Sequence, residues 1–327
     1  MNVAVIGSGM AGLTAARRLE AASAQVTVFD KSKGTGGRLS SRSFEGGWID
    51  HGAPYFSCER PSFLEFLQEH LPTESLQPWQ PQVMGALGAG EQLHSIGVPR
   101  SSAITRGLLG DLRFQPSTRI ARLGASADGW QLFNDGESLL GCWPQVVIAV
   151  PAPQALALLR DQPPLAEAIR AVTMEPCWVT AVRSRTRLTG QADVAVYEDA
   201  VVRRIVHNSA KPGRMNTNVY LVQATKSWSM AHLEETAESV GDQLQKCFDQ
   251  LVSGDGGSEI LFSHRWRYAF TESALGRPCL WDAELSLGVC GDWCLGRRVE
   301  DAWQSGADLA ARMLKTFRSG KVSNAGG

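Results

Sequence analysis

The 327-residue sequence predicts an α/β protein, from two observations. Roughly the first thirty residues hold an apolar strand, a glycine-rich turn, a helix and a second strand, the unit that builds a parallel sheet. The same strand, glycine turn and helix pattern returns near the C-terminus. Residues 2–6 (NVAVI) are the first strand. In residues 11–22, Leu13, Ala16 and Leu19 recur at helical spacing, and residues 25–30 form the next strand.

Residues 31–52 are rich in Gly, Ser and Arg and are expected to form an extended loop of the kind that carries function. Residues 63–71 read as a helix, whereas 77–116 mix Pro, Gly and short apolar runs without a clear period. Asp128-Gly129 and Asp135-Gly136 turns predict a β-meander over 120–133. A buried strand is expected at 145–150 and a helix at 155–160. Alternation at 178–185, 193–197 and 219–224 predicts a more antiparallel second layer, joined by one helix over 230–251. Residues 287–290 read as a strand. In the helix expected at 299–317, Ala302, Trp303, Leu309, Met313 and Phe317 supply the buried stripe. At about 150 residues per domain the length fits two domains. The expected first is discontinuous (1–58, 99–151 and 286–318), the second comprises 59–98 and 152–285, and 319–327 form a tail.

Composition removes several function classes. A charge of -1, from 32 basic and 33 acidic residues, offers no global field for nucleic acid or an anionic membrane. The longest apolar stretch, residues 146–159, is broken by Pro151 and Pro153 and is shorter than the roughly 20 residues that span a bilayer. No basic n-region or small-residue cleavage site precedes the first strand, so no export signal is expected. Seven scattered cysteines fit reduced thiols in a cytoplasmic protein better than a disulfide framework. Cys290 and Cys294 have no second pair for zinc, and no metal site is expected. P-loop, H-E-x-x-H and G-x-S-x-G motifs are all missing.

The informative motif is Gly7-Ser8-Gly9-Met10-Ala11-Gly12, between strand and helix. Gly7 permits the tight turn, Gly9 lets a pyrophosphate approach the backbone, and Gly12 allows close helix–strand packing, with the helix N-terminus aimed at the anion. Asp30 ends the second strand, where a carboxylate accepts hydrogen bonds from a ribose diol. Lys31 follows it. Lys33-Gly34-Thr35-Gly36-Gly37-Arg38 adds further amides and a guanidinium, and Gly46-Gly47-Trp48-Ile49-Asp50-His51-Gly52-Ala53-Pro54 begins another approach.

With these motifs the sequence resembles the FAD-dependent amine oxidase superfamily. There a Gly-Gly-Arg segment (here Gly36, Gly37, Arg38) contacts FAD and an Asp-x-Gly segment (Asp50, Gly52, Ala53) passes the flavin ring. Residues 146–153 look like the strand that follows the β-meander, which puts Ile120 near the adenine. Gly291-Asp292 and Val299-Glu300-Asp301-Ala302 resemble the C-terminal FAD motif. The resemblance implies a Rossmann-like FAD-binding domain, a parallel sheet with a β-meander, plus a smaller mixed α+β substrate domain. It also implies non-covalent FAD held by Gly7, Gly9, Met10, Ala11, Gly12, Asp30, Lys31, Gly37, Arg38, His51, Gly52, Ala53, Pro54, Ile120, Asp292 and Val299. Asp30 stands where many members carry glutamate.

Within the superfamily the chain looks most like the renalase group, on Phe29–Gly34, Asp50–Phe56, His264-Arg265-Trp266-Arg267-Tyr268 and Gly291-Asp292-Trp293. That likeness implies an oxidase that takes hydride from isomeric dihydronicotinamide dinucleotides and passes the electrons to molecular oxygen, yielding hydrogen peroxide. Such a substrate becomes an aromatic cation on losing hydride, so no catalytic base is assigned, whereas an amine must first lose a proton. Tyr55, Phe56, Arg265, Trp266 and Tyr268 are the expected substrate contacts, with Arg183, Arg203, Arg204 and Arg267 as further sources of an anion grip. A core position for His51 stays open, as does an approach by Lys211 or Lys226. An amine oxidase or desaturase, and a non-catalytic flavin or nucleotide sensor, are the alternatives.

Overall fold

Asn2–Ile6 is buried at every position but its first and lies inside a six-stranded sheet. The strand order is Leu280–Asp282, Leu287–Val289, Gln145–Ile148, Asn2–Ile6, Gln25–Phe29 and Arg113–Gln115, parallel throughout except for the antiparallel Leu280–Asp282 edge. This computed structural model describes residues 1–45, 47–85, 93–188, 191–215, 217–252 and 257–324. Gly46, expected within the loop, and residues 325–327 of the expected tail lie outside them.

Strands buried on both faces need cover on both. One face carries the helices Met10–Ala21 and Val299–Asn324, with Pro61–His70 and Ala103–Leu109 beside them in a core that includes Leu13, Phe63, Leu67, Ile104 and Leu309. The other carries the antiparallel meander Ile120–Ser126, Gly129–Asn134 and Leu139–Trp143, with Trp130 and Leu132 packed alongside Leu159 and Leu165. The mixed α/β class with a Rossmann-like parallel sheet is therefore as expected.

A second six-stranded sheet runs Ser258–Ser273, Thr173–Ser184, Val219–Ala224, Val202–His207, Val194–Val196 and Val83–Met84. Its pairs are antiparallel apart from the last. Ala237–Leu251 covers it with Val240, Leu244 and Phe248.

Some local expectations differ from the structure. The helix expected over 230–251 is two, Lys226–Ala231 and Ala237–Leu251, because Thr225 and Thr236 each accept a hydrogen bond from a first-turn amide and start separate helices. The loop over 31–52 contains the turn Gly37–Leu39 and a hairpin of Arg42–Phe44 with Gly47–Ile49, strands too short to show a period. The last helix continues past Phe317 to Asn324.

Contact between the first and last helices depends on one missing side chain. A Cβ on Gly306 would lie 2.1 Å from the Ala11 carbonyl oxygen, a backbone atom that cannot swing away. Gly306→Ala is expected to cost at least about 1–3 kcal/mol in urea unfolding. Gly34→Ala, whose Cβ meets nothing within 4 Å, should stay within about 0.5 kcal/mol of the parent. Equal midpoints for the two variants would contradict this packing.

Candidate active site

A cavity of about 1550 Å³ runs from the first glycine turn to the second sheet. It exceeds the roughly 300–1,000 Å³ of an ordinary small-molecule pocket, so it has room for a dinucleotide and a second molecule. Of the residues expected at the cofactor and substrate, Gly12, Asp50, Arg183 and Arg203 do not line it, and the others do. Gly12 acts in packing, since its Cβ would sit 2.0 Å from the Gly7 carbonyl oxygen.

At the glycine end Gly7 adopts φ +110, and a Cβ there would meet the Ala149 carbonyl oxygen at 2.4 Å. Gly9 faces open space. It precedes the helix Met10–Ala21 without a side-chain cap, so the first-turn amides beside Gly9, Met10 and Ala11 have no side-chain acceptor. Asp30 accepts from the Ser8 amide (2.8 Å), the Ser8 hydroxyl (2.6 Å) and the Ser32 amide (2.8 Å). The carboxylate expected at a ribose thus also clamps the turn. Lys31 and Ile120 line this end too. Gly37, at φ +51, brings the second glycine segment against the first: its Cβ would lie 3.4 Å from the Gly9 Cα.

In the middle, Arg38 and Asp292 form a two-pronged ion pair, Nη1 to Oδ2 at 2.8 Å and Nη2 to Oδ1. The two motifs, expected to act separately on a ligand, hold one another across most of the sequence. Thr271 Oγ1 donates to Asp292 Oδ2 at 3.3 Å. Val299 starts the last helix, and with Ala302 it turns that N-terminus to the cavity.

The far end is an aromatic chamber. The His51 ring stacks on Trp266 (5.5 Å, 19°) and meets His264 edge-on at 4.7 Å, while Trp266 Nε1 donates to the His51 carbonyl oxygen at 2.9 Å. His51 is both a buried histidine and a cavity wall. Burial, with His264 adding, pushes its pKa down to about 4, and burial lowers His264 as well, so both rings are neutral at pH 7. Gly52, Ala53, Pro54, Tyr55, Phe56 and Tyr268 also line this part of the cavity. Gly52 is required there, because a Cβ would lie 2.2 Å from the Arg38 carbonyl oxygen.

The arginines separate by partner. Arg265 and Arg267 line the cavity but bind Glu234, with Arg265 Nη1 also donating to the Leu233 carbonyl oxygen. Arg183 is paired with Glu45 and Glu259. Arg203 lies over Phe270 at 4.9 Å. Arg204 lines the chamber beside Tyr55 and Gln223. Alternation does not single it out from Arg203, since the pairing register shifts between Val202 and Arg204.

Asp50, expected beside the flavin ring, does not line the cavity. Its carboxylate is fully buried and accepts from Lys211 Nζ (2.5 Å), Arg214 Nη2 (2.6 Å), the Ser41 hydroxyl (2.7 Å) and the Ser101 amide (2.9 Å). Burial alone would raise this carboxyl, and the two cations outweigh burial and hold it well below the carboxylate range. Burial lowers Lys211 to about 8 against the pull of Asp50. Lys226 pairs with Glu272 and Glu175. Neither lysine lines the cavity, and Lys31 is the only one that does among the described residues.

Residues 5–70 match the family described as an NAD(P)-binding Rossmann-like domain. The chain is 32% identical over 132 residues to coproporphyrinogen III oxidase of Mycobacterium leprae (strain TN), covering 38% of this chain and 28% of that protein. It is 46% identical over 52 residues to a 4,4'-diapophytoene desaturase (4,4'-diaponeurosporene-forming) of Staphylococcus haemolyticus (strain JCSC1435), covering 16% of this chain and 10% of the relative. The chain thus spans under a third of either curated relative. Among solved structures it is similar to putrescine oxidase bound to putrescine, with TM-score 0.67 and 11% identity over 96% of this chain and 99% of that one. The sequence relatives are an oxidase and a desaturase, and the fold is shared with putrescine oxidase.

Asp50→Asn would leave Lys211 and Arg214 buried with no full counter-charge. A loss of about 3–5 kcal/mol is expected in urea unfolding, the usual cost of stranding a buried charge. A loss below about 0.5 kcal/mol would contradict the arrangement.

Proposed function

We propose that this protein is an FAD-dependent oxidase acting on 1,2- or 1,6-dihydro isomers of NAD(P)H, producing NAD(P)+ and, with oxygen, hydrogen peroxide. Bound FAD would supply the hydride acceptor at N5 and the route for two electrons to oxygen. The cavity residues fit that cofactor. The free first-turn amides at Gly9, Met10 and Ala11 suit a pyrophosphate, Asp30 a ribose diol, and the helix N-terminus at Val299 the electron-rich side of the ring. Non-covalent binding is part of the proposal. Cys177, the cavity's cysteine, is pushed up to about 11 by burial and is a weak nucleophile.

One observation carries the choice of substrate: among the described residues the aromatic chamber has no group suited to removing a proton from an ammonium. His51 and His264 are weak bases there, and no lysine lines that end among the described residues. Arg38 pairs with Asp292 and Arg298 with Glu59, so neither of those carboxylates is left free for a cation. A dihydropyridine needs no base, because losing hydride makes it aromatic. His51 and Trp266 would give its ring a flat wall. An amine oxidase or desaturase is the competing reading, favoured by the putrescine oxidase fold and the desaturase match. The large cavity argues against a sensor with a closed pocket. All seven cysteines are free, which supports the cytoplasm as its compartment. No helix among the described residues is long and apolar enough to cross a membrane.

Anaerobic mixing of the FAD-loaded protein with NADH, its 1,2- and 1,6-dihydro isomers and a panel of amines decides between these readings. Rapid bleaching of the flavin by an isomer, and none by amines, is expected. Bleaching by amines alone would overturn the proposal.

A further inference from the structure

Arg204 lines the chamber with no carboxylate partner among the described residues; Arg42, also in the lining and likewise without one, instead lies over the Phe262 ring at 4.5 Å. Arg204 Nε and Nη2 both donate to Gln223 Oε1, at 3.0 and 2.7 Å, and its Nη1 donates to the Tyr55 hydroxyl oxygen at 2.9 Å. No carboxylate pairs with it among the described residues, in contrast to Arg38, Arg183, Arg265 and Arg267. A guanidinium carries five N–H groups, and these bonds use three, leaving one on each terminal nitrogen. Those two remain to donate to the oxygens of a carboxylate or phosphate.

The surroundings keep that fork in place. Gln223 is 3% exposed, so its carbonyl is a fixed acceptor. Tyr55 accepts from Arg204 and keeps its own O–H to donate, and its ring packs against His94 at 4.4 Å. His94 Nδ1 is buried without a partner. Arg204, Gln223, Tyr55, His94, Cys177 and Val179 all line the cavity. The local field is positive: burial first, then the Arg204 charge, lowers His94, and Arg204 contributes to lowering Lys211.

We infer that Arg204, with the Tyr55 hydroxyl, is the anchor for an oxyanion carried by the substrate, so that this site selects anionic substrates. The inference rests on the reading of this chamber as the substrate site. It deepens that reading, since the phosphates of a dinucleotide meet the requirement and a free polyamine does not. A carboxylate-bearing substrate meets it equally, and the test separates the two sources.

Calorimetric titration of the FAD-loaded protein with inorganic pyrophosphate, and separately with acetate, measures the anchor without turnover. Saturable binding is expected in the parent protein, with tighter pyrophosphate binding marking a phosphate ligand and tighter acetate binding a carboxylate one. Arg204→Met should weaken the preferred anion about 10- to 150-fold, as for a lost charged hydrogen bond. Arg204→Lys should restore part of it, and Tyr55→Phe, which keeps the ring, should weaken it less. Equal flavin content in the variants checks that they fold. With 1,6-dihydronicotinamide substrates, the mononucleotide should show a lower KM than the riboside, and Arg204→Met should collapse that ratio toward one. Parent-like anion binding in Arg204→Met, or no saturable binding of either anion in the parent, would overturn the anchor. If the anions bind through Arg204 but no dihydronicotinamide reduces the flavin, the anchor stands and the hydride reading fails.

Discussion

Asp50 is a carboxylate without access to water that holds two cations without access to water, and both layers of the molecule meet on it. Lys211 reaches it from the second layer and also donates to the Pro54 carbonyl oxygen at 3.3 Å, while Arg214 donates to the Gly97 carbonyl oxygen at 2.8 Å. Three stretches of chain, around residues 50, 100 and 211, are thereby fixed together. Such a cluster is weak evidence for net stability, because removing charge from water costs nearly what pairing returns. It is strong evidence for a defined position, since any shift strands a charge. The segment it positions, His51 to Phe56, walls the ring end of the cavity.

A similar economy holds along the rest of the cavity. Gly7, Gly12, Gly52 and Gly306 are places where backbone meets backbone and any Cβ would intrude. Arg38 and Asp292 then tie the second glycine segment to the turn Asp292–Cys294 that precedes the last helix. The result is a long space with a different chemistry at each end. Amides without side-chain acceptors and the Asp30 carboxylate lie at one, and neutral imidazoles, an indole and the Arg204 guanidinium, with no carboxylate partner among the described residues, at the other. The similar proteins include a porphyrinogen oxidase, a desaturase and a putrescine oxidase, so the scaffold does not decide the reaction. The residues of the chamber do.

Much of this was legible in the sequence. The first strand–turn–helix and its glycines follow from local sterics, and the place of Asp30, Arg38, Asp292 and Val299 on the cavity wall follows from motifs with fixed positions relative to a strand or helix. What stayed hidden depends on tertiary pairing. A bulge hides which of Arg203 and Arg204 faces inward. Only the fold shows that Arg265 and Arg267 are committed to Glu234, or that Lys211 is spent on Asp50. Thr236 splits a helix whose apolar period reads as continuous. The sixteen-residue strand Ser258–Ser273 shows in the sequence only as the alternation around Trp266.

The central claim is that one flavin dinucleotide spans the cavity from Gly9 to the His51–Trp266 wall. Titrating flavin-free protein with FAD while following indole emission tests it most directly. The account predicts saturation at one FAD per chain, with quenched tryptophan emission and a structured visible spectrum. A protein that stays colourless and leaves indole emission unchanged at saturating FAD would contradict it.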